Sequence, residues 1–484
     1  MGESLKNKAA KSVMWSAVER FSVQGIQFIL TIIIARLVSP SDYGLIAMLG
    51  IFLAIAQTFI DSGFSNALIQ KQDRTETDFS TVFYFNIVVG VVVYILLYLC
   101  SPFIAGFYNE PKLDLITKIV GLNLIISSFS VVQRAKLTIA LNFKLQAVAS
   151  LIAVVISGVV GVYMAYVGYG VWAIAIQALL NNFLNTLLLW IVAKWMPKFC
   201  FSWESFRGLF GFGSKLLMAD LLNTIYLNLY SLVIGKRFSA ISLGYYNRTS
   251  TIAQFPSINI SSIVNRALYP ILCEVQNDEE KLTDAYKKAI RITAYCIFPL
   301  MTTMLCLAKS FIFVVLGEKW LPSSELLQIL CLAYFMTPIM ILSIQILNVK
   351  GRSDYALKAE FYKKGSSLTL LFITMPFGVK AMCWGLVVYA VCDFLIMTYF
   401  LKKVLAKITI KEHIKLLMPI ISICVLTSII LSQILFIISD SILKILIGLF
   451  SSIILFGCFS HICKLQEYLF IKQLFSKFIN KNIK

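Results

Sequence analysis

Long apolar runs recur along almost the whole chain, separated by short polar turns. Each run is long enough to cross a hydrocarbon core of about 30 Å as a helix. In lipid, a helix is the simplest way to satisfy every backbone N–H and C=O internally. The pattern predicts about fourteen transmembrane helices, over residues 12–36, 45–68, 82–104, 114–133, 147–168, 170–193, 213–235, 248–270, 289–308, 325–348, 360–378, 382–401, 416–437 and 442–463. The segment between the sixth and seventh, Lys194 to Lys215, alternates Phe201, Trp203, Phe206, Phe210 and Phe212 with Ser202, Glu204, Arg207 and Lys215, and reads as an interfacial connector.

A few helices carry polar side chains at spacings of three or four residues, which confines them to one stripe. Helix 1 has Ser16, Arg20, Gln24, Gln27 and Thr31; helix 2 has Gln57, Asp61 and Ser65; helix 7 has Asp220, Thr224, Asn228 and Ser231. Helix 8 places Arg248 and Arg266 five turns apart, about 27 Å of rise, with Asn259 and Ser262 near the same line. Pro256 removes a backbone hydrogen bond between them and disturbs that phase. Ionisable groups within a span are costly, so these stripes are expected to face water or a partner.

The chain also repeats. At an offset of 200 residues, Ala35-Arg36-Leu37-Val38-Ser39 through Tyr43-Gly44 aligns with Gly235-Lys236-Arg237-Phe238-Ser239 through Leu243-Gly244, and Arg20, Gln24 and Thr31 align with Asp220, Thr224 and Ser231. Six helices separate the copies, an even number, so both insert with the same orientation. The expected fold is therefore an all-α polytopic membrane protein: two pseudo-symmetric six-helix lobes around a central lumen, plus two peripheral C-terminal helices. The predicted divisions are an N-lobe over 1–200, a C-lobe over 201–408 that begins with the connector, and helices 13 and 14 with a basic tail over 409–484.

Composition supports this reading. The 484 residues are 59% hydrophobic and 14% charged, too few charges to cover a soluble fold. A net charge of +19 alone would admit nucleic acid, but with the N-terminus in the cytoplasm most Lys and Arg fall in cytoplasmic turns, as the positive-inside rule requires. Lys236 and Arg237, in an external turn, break it. Both termini are expected in the cytoplasm. The basic start lacks a small-residue cleavage site and reads as part of helix 1. Eleven scattered Cys and two His suggest neither a disulfide framework nor a metal site.

The arginines are the sharpest candidates. A guanidinium stays charged at any relevant pH and offers paired donors to phosphate oxygens, so Arg20, Arg248 and Arg266 suit a phosphate-bearing cargo, with Gln24, Gln27, Asn228 and Asn259 as polar neighbours. The competing reading pairs Arg20 with Asp220 across the lobes and lets Arg248 and Arg266 snorkel to head groups. Glu19, Asp61, Asp220 and Asp393 could carry a coupling proton or sodium ion, or pair with arginines. Lys118 reads as an interface snorkel, and Tyr94, Tyr98, Phe103, Phe107 and Tyr108 as an aromatic belt.

The segments ARLVSPSDYGLIAML, DSGFSNALIQK, GFYNEP, GYGVWAIAIQ, GYYNRTS and LGEKWLP resemble the Wzx-type polysaccharide flippases, in the branch of colanic and teichuronic acid exporters; the likeness covers roughly residues 1–400. It implies membership of the multidrug, oligosaccharidyl-lipid and polysaccharide exporter superfamily, with two lobes around a cationic lumen. It also implies an undecaprenyl-diphosphate-linked oligosaccharide as cargo, a bacterial inner-membrane location, and polymerase and chain-length proteins as partners. No cofactor and no nucleic acid are called for. A drug-cation antiporter of the same architecture would want an acid-rich lumen. A membrane polymerase or glycosyltransferase would need a longer catalytic loop than this chain has. A non-transporting scaffold of an assembly complex would not need the polar stripes.

Overall fold

The computed structural model describes residues 22–61 and 64–469. They are helical almost throughout: α1 (Ser22–Leu37), α2 (Pro40–Asp61), α3 (Phe64–Gln70), α4 (Glu76–Tyr108), α5 (Lys112–Ser128), α6 (Val131–Ile139), α7 (Phe143–Val167), α8 (Val171–Ala193), α9 (Trp203–Arg237), α10 (Ala240–Glu274), α11 (Glu279–Leu316), α12 (Ser324–Tyr334), α13 (Thr337–Val349), α14 (Ser353–Thr374), α15 (Val379–Lys402), α16 (Ile410–Ile437) and α17 (Ser441–Ile462). Among the described residues, eleven helical segments are long and apolar enough to cross a membrane. The long helices α10 and α14 fall short on apolarity, because α10 carries Gln254, Asn259, Asn265 and several Ser and Thr between Arg248 and Arg266, and α14 carries Asp354, Lys358, Glu360, Lys363 and Lys364.

Several expected spans contain a break. The fourth divides at Phe129–Ser130 into α5 and α6, and the tenth at Phe335–Met336, where Pro338 sits in the first turn of α13 and supplies no N–H that an incoming helix would need. Local capping fixes other starts. Thr75 and Asp78 form a reciprocal capping box at α4, and Ser202, Asp278 and Thr409 accept from backbone N–H groups at α9, α11 and α16.

The chain divides into two compact units, residues 1–244 and 245–484. In unit 1, α7 packs on α8, α4 on α5, and α9 on α2. Phe64, Leu68, Phe79, Val82, Phe83, Val132, Trp195 and Leu209 form a core at one end. The connector segment is tied to the start of α4: Lys198 N–H donates to Ser80 Oγ (3.0 Å) and Ser202 N–H to Thr81 Oγ1 (3.1 Å). Trp195 Nε1 donates to Glu76 Oε2 (2.6 Å), while Lys136 bonds the other carboxylate oxygen (2.8 Å) and lies over the Phe79 and Trp195 rings. Phe206 packs inward, and Phe199, Phe201 and Trp203 are left exposed.

The repeated turn shows itself in one close approach inside unit 1. Gly44 of α2 lies against the backbone of Ala240, and Gly244 of α10 against the backbone of Pro40. The offset of 200 maps 40 onto 240 and 44 onto 244, so the two contacts exchange partners, as a local two-fold would require. Only a residue without a Cβ permits helix backbones to come this close.

In unit 2, α14 packs on α15, α12 on α11 and α15, and α16 and α17 pack on α11 and on each other. Leu307 of α11 meets Leu431 and Leu435 of α16, and Thr303 shares a hydrogen bond with Ser452 of α17 (2.5 Å).

Candidate functional site

In unit 1 the polar side chains converge on one layer. Gln57 Nε2 donates to Asp61 Oδ1 (3.1 Å), and Ser127 Oγ of α5 donates to Gln57 Oε1 (3.1 Å). Asn182 of α8 donates to the Asn123 carbonyl (3.0 Å) and to its side-chain oxygen (3.1 Å), one turn from Ser127. Thr58 meets Thr224 of α9 hydroxyl to hydroxyl (3.2 Å), and Asn228 donates to the Thr224 carbonyl (2.9 Å). Arg134 and Asp220 are both within electrostatic reach of Asp61. Thr58, beside the helix 2 stripe, therefore meets Thr224 of the helix 7 stripe, and polar groups of α5 and α8 lie in the same unit. Gln24 is half-buried and Gln27 exposed on α1. Glu19 and Arg20 lie outside the described residues.

In unit 2 the two arginines of α10 have different surroundings. Arg248 is buried, at 8% exposure, whereas Arg266 is exposed. Between them, Ser250 and Gln254 meet the Tyr334 hydroxyl (3.1 and 2.8 Å), and Ser257 donates to the Tyr334 carbonyl (2.9 Å), which docks this stretch on α12. Asn259 returns a hydrogen bond to the Phe255 carbonyl (2.8 Å) beside Pro256. Asp393 of α15 faces Lys363 of α14 at 3.3 Å, and Lys363 also binds Glu360 (2.8 Å). Asp393, Tyr334, Thr337 and Tyr389 line a cavity of about 80 Å³.

Some of this was hidden in the sequence. The signal was there in part: Gln177, Asn181, Asn182, Asn185 and Thr186 recur at helical spacing in α8 and Asn123 stands four residues before Ser127 in α5, whereas Arg134 and Lys363 each lie among other polar or basic residues and no stripe marks them. Two expected structural roles have clear geometry. Lys118 pairs with Asp114 (2.9 Å) and lies over Tyr98, while Phe103 and Phe107 are exposed. Lys236, which breaks the charge bias, donates to the Phe107 carbonyl (2.5 Å) in the last turn of α4, where helix carbonyls attract cations. Among the described residues no group of three or more His, Cys, Asp or Glu could hold a metal ion.

This helical arrangement is a known transporter fold. The lipid II flippase MurJ, in an inward closed conformation, superposes with a TM-score of 0.75 at 15% identity, covering 93% of this chain and 98% of MurJ. The chain belongs to the polysaccharide biosynthesis protein family, whose profile matches residues 33–325. Teichuronic acid biosynthesis protein TuaB of Bacillus subtilis is 27% identical over 83% of this chain and 84% of its own length. Lipopolysaccharide biosynthesis protein WzxC of Escherichia coli is 26% identical over 76% of this chain and 75% of its own. The likeness to Wzx-type exporters read from the sequence is thus borne out: the protein is a multi-pass membrane transporter of the polysaccharide-export type and not an enzyme.

Proposed function

We propose that this transporter flips an undecaprenyl-diphosphate-linked oligosaccharide repeat unit across the bacterial inner membrane, for exopolysaccharide, O-antigen or capsule synthesis. Membership of the polysaccharide biosynthesis family carries the reading. In this account α1, α10 and α14 cross the membrane with the eleven apolar segments, giving fourteen crossings with both termini in the cytoplasm. The low apolarity of α10 and α14 is what a helix facing a wet lumen would have. The lobes 1–200 and 201–408 alternate access to that lumen, and helices 13 and 14 sit outside it.

Arg20, Arg248 and Arg266 neutralise the diphosphate, and Gln24, Gln27, Asn228 and Asn259 meet the sugars. The prenyl tail stays in lipid throughout. Asp61, Asp220, Glu19 and Asp393 serve as charge partners or take a coupling proton or sodium ion. Polymerase and chain-length proteins would receive the exported unit.

The test is binding by purified protein. Undecaprenyl-diphosphate oligosaccharide should raise the apparent melting temperature, undecaprenyl monophosphate should do so less, and Arg248→Ala and Arg266→Ala should each weaken the effect. A well-folded wild type indifferent to the diphosphate would overturn the cargo assignment.

A further inference from the structure

The first turn of α16 buries His413 at 1% exposure, within unit 2. Its Nδ1 lies 3.2 Å from the Thr409 carbonyl oxygen, and its Nε2 lies 3.0 Å from the Tyr286 hydroxyl of α11. That hydroxyl is 2.7 Å from Ser343 Oγ of α13, and Ser343 is 3.0 Å from the Ile339 carbonyl oxygen. Tyr286 and Ser343 are as buried as the histidine.

The chain begins and ends on carbonyl oxygens, which can only accept. It has four links: Thr409–His413, His413–Tyr286, Tyr286–Ser343 and Ser343–Ile339. Each link needs one hydrogen. Serine and tyrosine supply one each and a neutral imidazole supplies one, so three hydrogens serve four links. An imidazolium adds the fourth.

A neutral His413 therefore always leaves one of the four links unmade, the Ile339 link in one arrangement and another link in each alternative, including the Nε2–H tautomer. In that one arrangement, Ser343 donates to Tyr286, Tyr286 donates to Nε2, Nδ1–H donates to Thr409, and the Ile339 link is unmade. With one more proton on Nε2, that N–H donates to Tyr286, the tyrosine hydroxyl reverses toward Ser343, and Ser343 donates to Ile339. All four links are then made. We propose that His413, Tyr286 and Ser343 form a buried proton-binding site joining α11, α13 and α16.

Burial opposes the extra charge, and the Thr409 carbonyl and the neighbouring carboxylate favour it. Glu412, next to His413, acts on it electrostatically and bonds Lys287 of α11 (3.1 Å). Tyr286 is the titratable group in contact from α11. From α13 the contact is the uncharged Ser343, and from α15 it is the ring of Phe394, edge-on at 5.4 Å. A proton bound here links α16, which lies outside the repeat, to two helices inside it, so the site acts on unit 2 whatever the cargo is.

The sequence has only two histidines, His413 and His461, so ring-¹⁵N-histidine labelling of a His461→Gln protein gives one reporter. Magnetic resonance in lipid should find His413 as imidazolium at pH 5, the acid end of the range in which histidine ordinarily changes charge. Ser343→Ala removes the acceptor that the reversed tyrosine hydroxyl needs, and should weaken proton binding roughly tenfold, about one pH unit. Tyr286→Phe should weaken it at least as much. A ring that stays a neutral tautomer at pH 5, or a titration that Ser343→Ala leaves in place, would overturn the proposal.

Discussion

The exchange of partners between Gly44 and Gly244 makes a quantitative prediction for Gly44→Ala. The added methyl carbon would sit 1.7 Å from the Ala240 carbonyl oxygen, 2.4 Å from its carbonyl carbon and 2.9 Å from its Cα. Ordinary contact between such atoms begins near about 3.4 Å. All three are backbone atoms, so no rotamer relieves the clash; α2 and α10 must separate by about 1.5 Å or more. Forced separation of a packed contact costs about 3 kcal/mol. At about 2 °C per kcal/mol for larger domains, the apparent melting temperature in detergent should fall by about 6 °C. Gly106→Ala is the control, because nothing lies within 4 Å of a methyl there and alanine is the better helix former. Gly244→Ala meets the Pro40 carbonyl at 2.0 Å and should behave like Gly44→Ala. One separation accommodates both methyls, so the double variant should lose far less than the sum of the two. A Gly44→Ala protein that melts with wild type, or a double variant whose losses add, would refute the reciprocal contact.

Three further outcomes follow. Asp393→Asn leaves Lys363 paired only with Glu360 and should cost about 3 kcal/mol, whereas Lys363→Met with Asp393→Leu should recover most of the loss, as thermal unfolding would show. Asp278 caps α11, and the Lys281 backbone N–H and ammonium hold its carboxyl below the ordinary value of 3.8. Its stabilisation is therefore full above that value and lost as pH falls through the lower folded value; Asp278→Asn keeps the cap acceptor and should flatten this acid limb of the stability curve. Lys136→Met removes the Glu76 pair and the contacts over Phe79 and Trp195, a loss of about 1–2 kcal/mol, and should speed proteolytic cleavage within residues 194–202; an unchanged rate would show that the lysine does not hold the connector.

The membrane-spanning pattern was legible because lipid imposes long apolar helices, and a run such as Val379–Lys402 admits no other reading. The offset of 200 was legible too, and it placed Gly44 and Gly244 at equivalent positions before their contact was seen. Breaks inside spans were harder. The break at Phe129–Ser130 falls in the run Ser127-Ser128-Phe129-Ser130, whose hydroxyls bond back to carbonyls of the preceding turn, a local cue that the apolar pattern alone passes over. The polar stripes of helices 2 and 7 were readable by spacing, but Asn123 and Asn182 find each other only in three dimensions. Lys363 stands among Lys358 and Lys364 in the sequence, and only the fold shows its ammonium turned to Asp393. His413 looked like a lone histidine, and its hydrogen-bond chain depends on partners 70 and 127 residues away.

The central claim is transport of a lipid-linked sugar. It is tested most directly in proteoliposomes holding the purified protein and a fluorescent undecaprenyl-diphosphate oligosaccharide, with a membrane-impermeant quencher reporting which leaflet the headgroup occupies. The account predicts protein-dependent movement of the headgroup between leaflets, slowed in Arg248→Ala and Arg266→Ala. Well-folded protein that leaves the headgroup in its original leaflet would contradict it.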